Sequence, residues 1–72
     1  MKISKTVKRQ IKDFINRGET LVYIINYLFT CDYTATEIVK ILVKHFKCQE
    51  QLLRDVFEVN FGIEFSPLVN IA

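Results

Sequence analysis

The sequence predicts a small all-α domain of four helices containing a helix-turn-helix, and three observations predict it. Apolar residues recur three and four apart along most of the chain, the period of one helix face. Gly18 and Gly62 stand where helices stop, because glycine enters the left-handed conformation of a helix C-terminus without a Cβ clash. Thr34 and Glu37 have the spacing of a capping box, the threonine as N-cap and the glutamate three residues on.

Composition narrows the possibilities. Seventy-two residues make one domain with one modest core. Half the residues are hydrophobic, a quarter are charged and one is proline, which describes a globular chain and not a disordered one. The longest apolar run, 21–29, is broken by Asn26 and falls short of the roughly 18–20 residues a bilayer requires. The opening MKISKTVKRQ is basic but lacks the apolar stretch and cleavage site of a secretory signal. The expectation is a cytoplasmic protein without a membrane partner. Cys31, Cys48 and the single His45 are too few and too scattered for a zinc site, so reduced and largely buried thiols, no metal and no cofactor are expected.

The first segment, 1–18, reads as a basic amphipathic helix over 3–17. Ile3, Val7, Ile11, Phe14 and Ile15 line one face, and Lys2, Lys5, Lys8, Arg9 and Lys12 occupy the others. Arg17-Gly18 supplies a cationic end and a glycine stop. Residues 1–17 hold six Lys/Arg against Asp13 alone, net +5, whereas 18–72 hold four against seven acids, net −3. That asymmetry fits a phosphate-facing arm or simply a solvated helix face.

Residues 19–66 read as the helix-turn-helix unit. Glu19 and Thr20 open a second helix over 20–30, apolar on nearly every side and therefore central. Its β-branched Val22, Ile24 and Ile25 make a strand the competing reading, and the helical segments on either side favour a helix. Tyr23 and Tyr27 are i, i+4 neighbours with hydroxyls at the rim. After a break at Asp32-Tyr33, the capping box opens a third helix over 35–46 that buries Ile38, Ile41, Leu42 and Val43 or Phe46. Lys40, Lys44 and Lys47 gather on its outer, C-terminal side, where cations suit the helix dipole. The fourth helix, 50–61, places Leu52, Leu53, Val56, Phe57 and Phe61 in one stripe and exposes Gln49, Gln51, Arg54, Asp55 and Glu58. The tail 67–72 is apolar, and Pro67 stops a simple helical continuation.

The run 42–66, LVKHFKCQEQLLRDVFEVNFGIEFS, resembles one helix-turn-helix unit of the AraC/XylS transcription-regulator family. Leu42, Phe46, Leu53, Phe57, Gly62, Ile63, Phe65 and Ser66 carry the resemblance, which spans about 21–68 once 21–29 is taken as a support helix. That stretch is similar to one of the two such units in that family's domain. Val43 replaces the small alanine the family favours, and Gln49, Glu50 and Gln51 replace its serine-rich start of the recognition helix. The resemblance implies a DNA-binding transcriptional regulator with the fourth helix in the major groove. Gln49, Gln51 and Arg54 would then face base edges, while Lys5, Lys8, Arg9, Lys12, Lys44 and Lys47 would face phosphates.

No enzyme is expected: the chain has no glycine-rich phosphate loop, no paired carboxylates and no cysteine–histidine spacing that supports catalysis. The alternative to DNA is a small protein-binding modulator or inhibitor, of the phage or mobile-element kind, that borrows the helix-turn-helix shape. It would use acidic Glu50, Asp55 and Glu58, the rings of Tyr23 and Tyr27, or Leu68 in the tail. A homodimer is expected in either case, from the apolar second helix and tail.

Overall fold

The computed structural model describes residues 3–65. These form α1 (Lys5–Asn16), α2 (Leu21–Thr30), α3 (Ala35–Phe46) and α4 (Glu50–Phe61), with no strand among the described residues. The all-α, four-helix expectation holds, and the strand alternative for 21–29 falls. Three helices begin at a side-chain cap. Ser4 accepts a hydrogen bond from the Val7 amide (3.1 Å) and Thr20 accepts one from the Tyr23 amide (3.2 Å). The Thr34–Glu37 capping box is complete, its two bonds measuring 2.9 and 3.2 Å. Because Ser4 is the cap, α1 starts at Lys5 and not at residue 3. Gln49 precedes α4 without a side-chain cap bond.

Every helix runs into a residue with positive φ: Gly18 (+80°), Asp32 (+70°), Lys47 (+58°) and Gly62 (+66°). Past Gly18 the Glu19 amide donates back to the Phe14 carbonyl (2.9 Å), and past Asp32 the Tyr33 amide donates back to Leu28 (3.3 Å). These bonds satisfy carbonyls that a helix end would otherwise leave bare. Aspartate visits this conformation at modest cost, whereas lysine gains nothing local from it. Lys47 is therefore the strained member of the four. It opens the three-residue link 47–49 that turns α3 into α4, where the Cys48 amide donates to the Leu42 carbonyl (3.1 Å).

The core gathers around α2, which touches both α3 and α4, while α3 and α4 touch each other. Ile24, Ile25 and Leu28 from α2 meet Ile38, Ile41 and Leu42 from α3 and Leu53 and Phe57 from α4, all essentially excluded from water. Each such side chain contributes roughly 1.5–3 kcal/mol by leaving water. Ile11 and Phe14 attach α1, and the Phe14 ring meets the edges of Tyr23 and Tyr27, each at 5.1 Å between centroids. At the other end Phe57 packs against Phe29, Phe61 and Phe65 at 5.3–5.9 Å.

Two side chains depart from their expected places. Ile15 and Leu52 are 47% and 48% exposed, although the periodicity puts both in apolar stripes. Each adjoins a residue that is buried, Phe14 and Leu53, and consecutive helical residues point about 100° apart. In these two pairs only one side chain is buried, whereas Ile24–Ile25 and Ile41–Leu42 are buried as pairs. Val39 joins the core as well, and Val43 and Phe46 are both half-buried at its edge. Cys31 and Cys48 are half-buried rather than largely buried.

Candidate interaction face

On α4 the inward face is set by Leu53 and Phe57, so the opposite face is centred on Asp55. Gln51 and Glu58 flank it on one side, Leu52 and Val59 on the other, and Val59 is 80% exposed. α4 holds three carboxylates, Glu50, Asp55 and Glu58, against one cation, Arg54. The guanidinium of Arg54 does not reach outward. It donates to Glu50 through Nε (3.0 Å) and through a second nitrogen (2.7 Å), and lies 5.7 Å from the centre of the Phe65 ring. Its side chain keeps 23% of its exposure, against 48% for Glu50. Gln51 likewise donates to Asp55 (3.1 Å). Two of the three side chains expected to read bases are thus engaged by acids on their own helix, and Gln49 stands exposed at the N-cap.

Arg54 and Phe65 form a ridge between two recesses. One, of about 370 Å³, is walled by Asp55, Glu58 and Glu64. The other, of about 490 Å³, has Val39 and Val43 in its lining and Lys40 and Lys44 beside them, with Glu50 taken up by Arg54. The sign of charge therefore reverses across the ridge. Among the described residues no three His, Cys, Asp or Glu side chains gather as a metal site, Asp55, Glu58 and Glu64 included.

The basic residues lie elsewhere. Lys5, Arg9 and Lys12 are exposed on the outer side of α1, and Lys8 is half-buried at its flank. Lys44 and Lys47 stand exposed at the end of α3 and in the link. Among the described residues, ion pairs form only within helix ends or turns of the same helix, Asp13 with Arg17 (3.4 Å) and Glu50 with Arg54. None of the six expected phosphate ligands takes part in either.

Tyr23 is 46% exposed, while Tyr27 is half-buried under the Phe14 ring. Burial, and then the neighbouring Cys31 thiol, push the Tyr27 hydroxyl above the usual phenol range. Tyr27 serves packing, and Tyr23 offers one ring face outward. Much of the apolar surface of α2 that suggested self-association is covered by α1, α3 and α4. Leu68 and the tail 67–72 lie outside the described residues. What sequence reading missed is the outward pairing of Leu52 with Val59, seven residues apart, which their i, i+7 spacing already held.

No helix among the described residues is long and apolar enough to cross a membrane. No protein family matches the chain, and neither a curated protein nor a solved structure does.

Proposed function

We propose that the chain is a small protein-binding modulator of helix-turn-helix shape, docking through the outward face of α4 on a basic, partly apolar surface. The observation that carries this reading is the face itself: Asp55 at its centre, Glu58 beside it, Leu52 and Val59 bare, and the helix's one cation turned away to Glu50. A major groove lies between two rows of phosphates, where two carboxylates are repelled and two bare aliphatic side chains find little to cover them. A protein surface supplies both a cation and an apolar cover. The pairs Arg54–Glu50 and Gln51–Asp55 do not decide the matter, since an exposed i, i+4 pair is worth only about 0.2–0.5 kcal/mol and opens readily. The carboxylate charge is what supports the protein-docking reading.

DNA binding is the second reading, and one observation favours it. Lys5, Lys8, Arg9, Lys12, Lys44 and Lys47 have no acidic partner among the described residues. They would grip phosphates from α1 and the link, with α4 contributing little sequence discrimination.

The two readings separate on the sign of one substitution. Mixed-sequence duplex DNA and a helical probe peptide with lysine and leucine at i, i+3, i+4 and i+7 are each titrated with the chain. The expected result is binding of the peptide, weakened more than about tenfold by Glu58→Lys but not by Glu19→Lys, and little DNA binding until Glu58→Lys removes repulsion. Tight, sequence-selective DNA binding by the unaltered chain, lost with Arg54→Ala, would overturn the proposal.

A further inference from the structure

We infer that the surface on which α4 docks is α1 of a second copy of this chain, packed antiparallel, the contact occurring twice in a twofold dimer. The inference rests on the protein-docking reading above and names its partner.

The two helices are complementary in charge and in spacing. α1 carries Lys5, Lys8, Lys12 and Ile15 at i, i+3, i+7 and i+10, along the flank of its outward face. α4 carries Leu52, Asp55 and Val59, followed by Gly62, at the same intervals. Each stripe is about 15 Å long at 1.5 Å per residue. Set antiparallel, Ile15 falls on Leu52, Lys12 on Asp55, Lys8 on Val59 with Glu58 across the face from it, and Lys5 on Gly62, two residues from Glu64. Set parallel, Lys5 would fall on Leu52 and Ile15 on Gly62, so only the antiparallel order sets Ile15 against Leu52.

Shape agrees with charge. The recess walled by Asp55, Glu58 and Glu64 is open to lysine side chains from outside, and among the described residues no cation other than Arg54 lines it. Ile15, Leu52 and Val59 are three of the four large hydrophobic side chains most exposed among the described residues, and this packing covers all three. The fourth, Tyr23, sits against Phe14 next to Ile15. One helix-on-helix patch is smaller than the roughly 800 Å² per partner of a stable interface, and the twofold arrangement doubles it.

The test is a charge swap followed by light scattering at low salt. One variant carries Lys8→Glu and Lys12→Glu, the other Asp55→Lys and Glu58→Lys; Lys12, Asp55 and Glu58 are exposed and Lys8 is half-buried at the flank of α1. Each variant alone is expected to dimerise more than about tenfold more weakly than the unaltered chain. Mixed one to one they restore a dimer, because each acidic α1 then meets a basic α4 and each remaining native pair is kept. The neutral variant Asp55→Asn with Glu58→Gln provides the same reading with less perturbation: its dimer is weaker and loses its salt dependence. A strictly monomeric unaltered chain at millimolar concentration, or folded variants that stay monomeric when mixed, overturns the inference. If that monomer still binds the lysine–leucine peptide, self-docking alone has failed. If it binds only DNA, the proposed function has failed with it.

Discussion

α1 and α4 are twelve residues each, both bury an aromatic anchor and both lead into a left-handed glycine, yet their outward faces are opposite. α1 shows four cations and Asp13, while α4 shows acids and bare aliphatic side chains. The inward faces suffice to explain the fold, since Phe14 and Phe57 hold their helices whatever lies outside. The outward faces are unconstrained by packing, so their contrast is free to reflect solvation or a docking surface.

The largest test of that separation is truncation of the anchors. Phe57→Ala removes a fully buried ring packed against Phe29, Phe61 and Phe65, and should cost about 3–5 kcal/mol. A domain of this size holds only roughly 4–11 kcal/mol, so denaturant melts should show a mostly unfolded chain at the low end of that range and a folded but clearly weakened one at the high end. Phe14→Ala should cost less, because Tyr23 and Tyr27 at the rim can close over the gap. Ile15→Ala and Leu52→Ala should leave the melt of a monomer within about 0.5 kcal/mol, as surface changes do. A large loss from either would mean that the outward faces are part of the core after all.

The helix ends sharpen the comparison at about 1 kcal/mol. Ser4→Ala should lose about that much by uncapping α1, whereas Gln49→Ser should gain up to that much, because α4 lacks a side-chain cap. Lys47→Gly should likewise gain roughly 1 kcal/mol by relieving a lysine held at φ +58°. Thermal melts of the three variants check the signs.

The smallest effect concerns pH. Burial pushes the Cys48 thiol above its ordinary range, and burial with Cys31 does the same to Tyr27. Both groups are held neutral by folding, so their contribution to stability is complete at neutral pH and is lost as pH climbs through the alkaline thiol and phenol range. A stability profile that rises there would contradict the placement of both side chains. Alkylation of Cys48 at mildly alkaline pH should lag behind that of an unfolded control.

How much of this could be read from the sequence follows from which interactions are local. The bounds of α2, α3 and α4 and the Thr34–Glu37 box were legible because caps and periodicity act within four residues. Asp32 and Lys47 were not legible as left-handed positions, since neither is glycine and the geometry comes from how the chain must turn. Ile15 and Leu52 were misplaced because packing, and not spacing, decides whether one or both of two apolar neighbours is buried, as both are at Ile24–Ile25. At the candidate site the residue types were visible, Asp55 and Glu58 among them. The retreat of Arg54 under Phe65 joins residues eleven apart and needs the end of α4 in place.

The left-handed residues that close all four helices bear on how quickly the chain finds its fold. Each bound is written within about six residues of sequence, and the helices that touch are mostly consecutive, joined by links of three or four residues. Little loop entropy has to be spent before contacts form, which places such a domain among chains that fold in microseconds to milliseconds.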